Sequence, residues 1–440
     1  MNQSITQFEF EKSLEFAQRL DASDPIRNMR DEFHIPKHNN EEKDEIYFCG
    51  NSLGLQPKLT QEYLHYELSQ WQKLGVKGHF SGDFPWMPYH EFLTHGFADL
   101  VGAKPSEVVA MNSLTANLHF MMVSFYRPTG KRFKILIEDH AFPSDHYAVE
   151  SQIKFHGFDP KEAMILIKPR DGEETFRTED ILQTIEQHGD ELALILLPGV
   201  QYYTGQVFDM QAITEKGHEV GCKVGFDLAH AAGNITMELN KWGPDFACWC
   251  NYKYLNSGAG SVAGCFVHER HHSNKNLPRF AGWWGHNKET RFKMDNQFDP
   301  IDSVEGWQLS NPPILSLAAI RASLDTVKKA GGIKVLREKS LKLTAFLRFL
   351  LKQELGDDIH ILTPEEDEAH GAQLSLTVNT HGLDGKAVFN RIENAGVTGD
   401  WRYPNVIRVA PVPLYNTFED CYRFVQILKE SLQTDEQTAS

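Results

Sequence analysis

The sequence predicts an α/β protein with a large, mainly parallel central sheet, followed by a smaller α/β unit. Two patterns carry this prediction. Short apolar runs alternate with amphipathic stretches through most of the chain. Such alternation marks strand–helix–strand units, whose parallel sheets are covered on both faces. After about Leu315 the pattern changes to long helical periodicity with isolated strands. In sheets of the first kind, ligands bind beyond the carboxyl ends of the strands.

Taken in order, the first 20 residues suggest a helix and Asp21–Asn40 reads as irregular. Strands are expected at Lys134–Glu138, Met164–Lys168, Ala193–Leu197, Val224–Asp227, Phe246–Cys250 and Ser261–Val267. Each is a short apolar run of the length a buried strand needs. The stretches Ser144–His156, Thr178–His188 and Met210–Glu219 are amphipathic at helical spacing and read as helices. Helical periodicity then runs through Ile314–Lys329 and Ile333–Leu355. A strand at Gln373–Val378, a helix at Gly385–Ala395, a strand at Val406–Val409 and a helix from Thr417 to Leu432 complete the smaller unit. The polar tail Thr434–Ser440 is expected to be disordered. The expected division is a segment 1–65 packing with the small domain, a large domain 66–318 and a small domain 319–440.

Composition excludes several classes. A chain of 440 residues with 41% hydrophobic and 24% charged residues is long enough for two domains and a large core. The formal charge of −16, from 60 acids against 44 bases, argues against sequence-independent nucleic-acid binding. No apolar run reaches the length of a membrane span, and the first residues do not form a signal peptide. Six cysteines make no disulfide framework, which points to a reducing cytoplasm.

The chemistry centres on Lys253. It follows the apolar run that ends at Cys250, and Asp227 closes an earlier strand, Lys223-Val224-Gly225-Phe226-Asp227. A lysine by itself is usually a solvated charge. A strand-end Asp followed by a strand-end Lys is the layout of a pyridoxal phosphate (PLP) enzyme, with Lys on the cofactor aldehyde and Asp on its ring nitrogen. The segment Met111–His119 opens a helix, where first-turn amides and the Thr115 hydroxyl suit a phosphate. A plain N-cap at Ser113 or Thr115 explains it equally well. Phe142 could stack on a cofactor ring, and Ser144 or Asp145 could instead cap the next helix. Arg408, an arginine inside an apolar run, suits a bidentate carboxylate or a structural ion pair.

Three motifs match other chemistries by spacing alone. His268-Glu269-Arg270-His271-His272 fits H-E-x-x-H but ends a strand-like run rather than lying on a helix. Gly258-Ala259-Gly260-Ser261-Val262-Ala263 fits a dinucleotide fingerprint but leads into a strand, so a tight turn is expected. Cys248 and Cys250 alternate on one strand without C-x-x-C spacing and read as core.

Together these segments resemble the kynureninase family of PLP-dependent hydrolases. The likeness includes Tyr47–Pro57, Met111–His119, Ala141–Glu150, Gly199–Gln206, Gly225–Gly233, Asp245–Gly260, Arg291–Asn296, Ser310–Leu315 and Arg408–Asn416. The resemblance implies a fold-type I, aspartate aminotransferase-like large domain with PLP held as a Schiff base on Lys253. It implies Asp227 at the ring nitrogen, His230 near the cofactor's polar edge and Phe142 on its face. Leu114, Thr115, Pro143, Ser144, Asp145, Tyr252, Trp283 and Asn311 would complete the cofactor site. Trp283 and Asn311 would come from the partner subunit of a homodimer. Arg408 would bind the substrate α-carboxylate. His79 and Asn311 match positions that favour a hydroxylated aromatic ring. Some relatives carry serine where this chain has Pro198, which offers neither hydroxyl nor N–H.

The implied reaction is hydrolytic Cβ–Cγ cleavage of kynurenine or 3-hydroxykynurenine, giving anthranilate or its 3-hydroxy form plus alanine. It belongs to tryptophan catabolism or to the synthesis of nicotinamide cofactors. Lys253 would remove the α-proton, and Tyr252 would serve as the later acid–base partner. The nearest alternative is another enzyme of the same fold, an aminotransferase or a cysteine desulfurase. A desulfurase needs a cysteine on a mobile loop well after the lysine, and Cys421 lies in a helical pattern instead.

Overall fold

The computed structural model describes residues 9–40, 43–379 and 382–433. The first helix, α1 (Leu14–Ser23), starts later than expected, where the Ser13 hydroxyl accepts the Phe16 N–H at 3.2 Å. Residues 1–8 of the expected helix, and the polar tail 434–440, lie outside the described residues. The stretch expected to be irregular holds the end of α1 and 3₁₀ turns at Arg27–Glu32 and His38–Asn40. A short strand follows, β1 (Ile46–Tyr47), then two helices that the apolar pattern did not single out, α2 (Lys58–Leu74) and α3 (Glu91–Val101).

The central sheet uses β2 (Val108–Ala110), β3 (Lys134–Glu138), β4 (Met164–Ile167), β5 (Leu192–Pro198), β6 (Lys223–Asp227), β7 (Phe246–Trp249) and β8 (Gly264–Val267). Their order is β2-β8-β7-β6-β5-β3-β4. The run from β7 to β4 is parallel, while β8 and β2 are antiparallel at one edge. Helices α4 (Leu114–Phe125), α5 (Pro143–Phe155), α6 (Pro160–Ala163), α7 (Thr178–Gln187), α8 (Met210–Glu219) and α9 (Leu239–Trp242) link the strands. The expected strand Ser261–Val267 begins only at Gly264. Residues before it are taken by a turn in which Gly258 and Gly260 have φ of +87° and +67°. That region favours glycine, so the fingerprint-like spacing is a turn.

Helices α10 (Ile314–Lys329) and α11 (Ile333–Leu355) match their sequence periodicity. Beyond them lie β9 (Ile359–Ile361), β10 (Leu374–Val378), α12 (Gly385–Asn394), β11 (Val397–Thr398), β12 (Asp400–Arg402), β13 (Val406–Val409) and α13 (Phe418–Ser431). An antiparallel sheet runs in the order β12-β13-β10-β9. β1 pairs in parallel with β11, so the N-terminal segment extends the smaller unit. Phe10 and Phe16 pack on Phe346 of α11 for the same reason: apolar rings leave water together.

Two packed regions follow. One covers both faces of the central sheet, with α10 and Leu336 of α11 on one side and Leu118, Met121, Phe125 and Val149 on the other; the second holds Leu343, Phe346, Leu347 and Leu350 of α11 with Val388, Ile407 and Phe424. No described helix is long and apolar enough to cross a membrane.

Candidate active site

The carboxyl ends of the parallel strands open into a cavity of about 320 Å³ that reaches the antiparallel sheet. β6 delivers Asp227 as its last residue, and the loop after β7 delivers Tyr252 and Lys253. A close backbone contact fixes that loop. The Gly54 N–H donates to the Tyr252 carbonyl at 2.8 Å, and a Cβ at Gly54 would sit 2.3 Å from the Lys253 carbonyl. Lys253 Nζ lies 2.9 Å from His230 Nε2 and 5.9 Å from the centre of the Phe142 ring. Burial, then the charges of Lys253, Arg408 and Arg402, hold His230 well below its usual range. The imidazole is therefore neutral, Nε2 accepts from Lys253, and its buried Nδ1 has no partner.

Asp227 and Asp145 form a buried carboxyl pair. Burial raises both, and Asp145 more strongly because the Asp227 charge faces it. Asp145 is the protonated member and donates to Asp227, which also accepts the Ala229 N–H at 2.6 Å. A single negative charge in the pair suits a cation such as a protonated ring nitrogen.

At the other end of the cavity α4 begins at Leu114, and its N-cap Ser113 makes no side-chain capping bond. Its first amides are free of such a cap, and the Thr115 and Ser144 hydroxyls lie 2.8 Å apart beside them. Ser261 lines the same wall with a buried hydroxyl that has no partner. Free helix-start amides and hydroxyls make an anion cradle. The cavity volume lies in the usual range of about 300–1,000 Å³ for small-molecule sites. An amine, an acid pair and an anion cradle in one cavity fit PLP.

Arg408 reaches the cavity from β13 and is 1% exposed on its side chain. It donates to the Tyr202 carbonyl at 2.6 Å and to the Asp400 carboxylate on β12, which also pairs with Arg402 at 3.0 Å. Its Nε is buried without a partner. The guanidinium thus keeps donor capacity beside a cavity that also receives Arg402.

A family profile described as "Kynureninase C-terminal domain" matches residues 336–428. A kynureninase of Flavobacterium psychrophilum is 54% identical over 426 residues, spanning 96% of this chain and 99% of the relative. A kynureninase of Nematostella vectensis is 48% identical over 443 residues, spanning 96% of this chain and 94% of the relative. The chain belongs to the kynureninase family. Among solved structures, a cysteine desulfurase from Thermococcus onnurineus superposes with a TM-score of 0.70 at 16% identity, covering 94% of this chain and 97% of that one. A cystine C–S lyase holding cysteine persulfide superposes with a TM-score of 0.72 at 16% identity, covering 87% and 97%. At that identity the likeness speaks for the fold, which is that of fold-type I PLP-dependent enzymes.

In this kynureninase-family chain, most of the residues singled out from sequence meet in one cavity. Leu114, Thr115, Phe142, Ser144, Asp145, Asp227, His230, Tyr252, Lys253 and Arg408 all line it, as does Pro198 at the end of β5. Pro143 does not; it opens α5 behind Phe142. His79, Trp283 and Asn311 do not line it in a single chain either. His79 packs edge-on against Trp86, with ring centres 5.3 Å apart, and its buried Nδ1 has no partner. Trp283 and Asn311 are exposed. His268 and His272 turn to the backbone carbonyls of Asn240 and Val267, on a 3₁₀ turn. Cys421 is fully buried in α13, away from any loop.

Residues of the cavity wall to which sequence reasoning gave no site role include Glu138, Tyr202, Ser261 and Arg402. Glu138 had a usable signal, since Ile-Leu-Ile-Glu ends β3 as Val-Gly-Phe-Asp ends β6. Arg402 had none, because β12 is three residues long and carries no pattern.

Proposed function

We propose that this chain is a PLP-dependent hydrolase that cleaves the Cβ–Cγ bond of kynurenine or 3-hydroxykynurenine with water. The products are anthranilate or 3-hydroxyanthranilate and L-alanine. The observation that carries the reading is the convergence of Lys253, the Asp145–Asp227 pair and Arg408 on one cavity of a kynureninase-family chain. PLP, when bound, supplies an aldehyde for the substrate amine and an electron-withdrawing ring for charge left at carbon.

The side chains divide the remaining work. Lys253 would hold the cofactor, and its free amine would take the substrate Cα proton. His230, neutral and 2.9 Å away, accepts from Nζ and fixes its direction. Arg408 turns its free donor capacity to the substrate carboxylate, which orients the Cα–H bond toward Lys253. Tyr252 moves the later protons at the cleaving Cβ–Cγ bond. Its hydroxyl is pushed up from the usual phenol range by burial and then by Cys250, so it stays protonated and ready to donate. Phe142 and the cavity wall limit access of bulk water.

One incubation tests the reading. The purified protein with PLP should release alanine and an aromatic amine from either substrate, with kcat/KM favouring 3-hydroxykynurenine, because the family resemblance assigns His79 and Asn311 to a ring hydroxyl once a second copy completes the site. Tyr252→Phe should lower kcat by roughly 10²–10³-fold while the cofactor stays bound. Transamination products without anthranilate would replace the hydrolase reading by an aminotransferase.

The working unit in this reading is a homodimer whose second copy brings Trp283 and Asn311 to the cavity. Phe80, Trp283 and Phe292 support it, since these contacting rings are 67%, 40% and 57% exposed. Inactive Lys253→Ala and weakened Trp283→Ala chains, dissociated and mixed, should regain about a quarter of wild-type activity through one intact site per mixed dimer. No gain on mixing, or a monomer by sedimentation, would remove the shared site. The reading also places the enzyme in the cytoplasm, where six unpaired thiols persist.

A further inference from the structure

A third carboxyl faces the cavity. Glu138 ends β3, is 3% exposed, and lines the wall with Asp145 and Asp227. It makes no ion pair and no side-chain hydrogen bond to another residue among the described residues, and its own backbone amide is its donor. The strand between it and Asp227 is β5, which ends in Pro198 on the same wall. Proline has no N–H, so no backbone donor from that residue reaches an anion there. The groups that face Glu138 are Asp145 from α5, Asp227 from β6 and the Tyr202 hydroxyl from the loop after β5. Lys253, His230, Arg402 and Arg408 share the cavity.

We propose that Glu138 is a positioning residue that works as a neutral acid, keeping the buried cluster of Glu138, Asp145 and Asp227 at one negative charge. Arg402 and Arg408 pair with Asp400, and Lys253 bonds to His230, so among the described residues no cation pairs with Glu138 to offset a further buried anion. An ionised Glu138 would add a second charge and raise the proton affinity of whatever Asp227 holds. Burial first, then the Asp227 charge, push Glu138 up to about 8. The neutral form therefore prevails at neutral pH and is lost above that value.

The inference rests on the PLP reading for its consequence, but its first test does not need the cofactor. Infrared difference spectra of wild type against Glu138→Gln, taken between about pH 6 and pH 10, should show one protonated carboxylic acid carbonyl stretch in wild type beyond that of Asp145, which both proteins share. The band should fade as pH rises through about 8. Linkage gives a second sign. The unfolded chain releases this proton near 4.5 and the folded chain near 8, so burial of Glu138 costs stability increasingly across that window. Glu138→Gln should melt progressively higher than wild type from pH 5 to pH 8, with a constant difference above. In the loaded enzyme, the alkaline drift of the bound cofactor's absorbance should flatten in Glu138→Gln. Pro198→Ser, which restores an N–H and a hydroxyl, should move the loss of the infrared band to lower pH. Identical carboxyl bands in wild type and Glu138→Gln, or a melting difference independent of pH, would overturn the proposal. Failure to bind PLP would sink the proposed function and leave the infrared result standing.

Discussion

Lys253→Ala is expected to lower kcat by about 10⁴-fold or more, because one side chain carries both anchoring and proton transfer. The fold should survive. Lys253 is only half-buried, and its amine bonds to a single imidazole nitrogen. The variant loses the Nζ–His230 bond at 2.9 Å and the cation over the Phe142 ring. Asp227, Asp145 and the α4 cradle remain, so the cofactor should still bind, with a changed visible spectrum and faster exchange. A small exogenous amine should restore a fraction of turnover by entering the vacated space. Two measurements decide the matter: single-turnover rate, and absorbance before and after dialysis. A variant that keeps wild-type turnover would remove Lys253 from the mechanism.

Arg408→Gln should lower kcat/KM by about 10³-fold, the scale expected when one partner of a buried, charge-assisted pair is removed. Most of the loss should fall on KM, since the guanidinium binds rather than reacts. Arg408 is buried, and its donors go to the Tyr202 carbonyl and to Asp400. Burial pulls the guanidinium somewhat below its usual range, and Asp400 works against that shift. Glutamine leaves the Asp400 carboxylate with Arg402 alone, so the melting temperature should drop too. Arg408→Lys separates the two effects. It keeps the charge beside Asp400 but loses the planar fork, so stability should recover more than KM does. An unchanged KM in a folded Arg408→Gln protein would place the carboxylate clamp elsewhere.

What the sequence made legible follows the physics of local signals. β3, α8, α10, α11 and β13 appear with the bounds their periodicity predicts, because one buried face or one apolar run defines each. Lys253 and Asp227 were legible because strand ends fix where their side chains emerge. β1, β11 and β12 were not, since strands of two or three residues exist only through their ladder partners. The pairing of Ile46 with Val397 crosses most of the chain, and no local pattern encodes it. Arg408 was legible as an arginine in an apolar run. Its partner Asp400 was not, although only a short hairpin separates them. The antiparallel edge of β8 and β2 was equally silent, because direction depends on the connection rather than on composition.

Helix α11 links the two packed regions with 23 residues of unbroken helix. At 1.5 Å per residue that is a spar of about 35 Å. Its start follows Gly331 and Gly332, both at positive φ, while no glycine or proline interrupts it afterwards. Bending such a spar is costly, since kinks form chiefly at proline, glycine or inserted groups. The reach from the Arg408 sheet to Lys253 is therefore gauged by a rigid beam seated in both packed regions. Fit between clamp and amine becomes an angular quantity, and a core change far along the beam is read at the reaction centre as a change of aim.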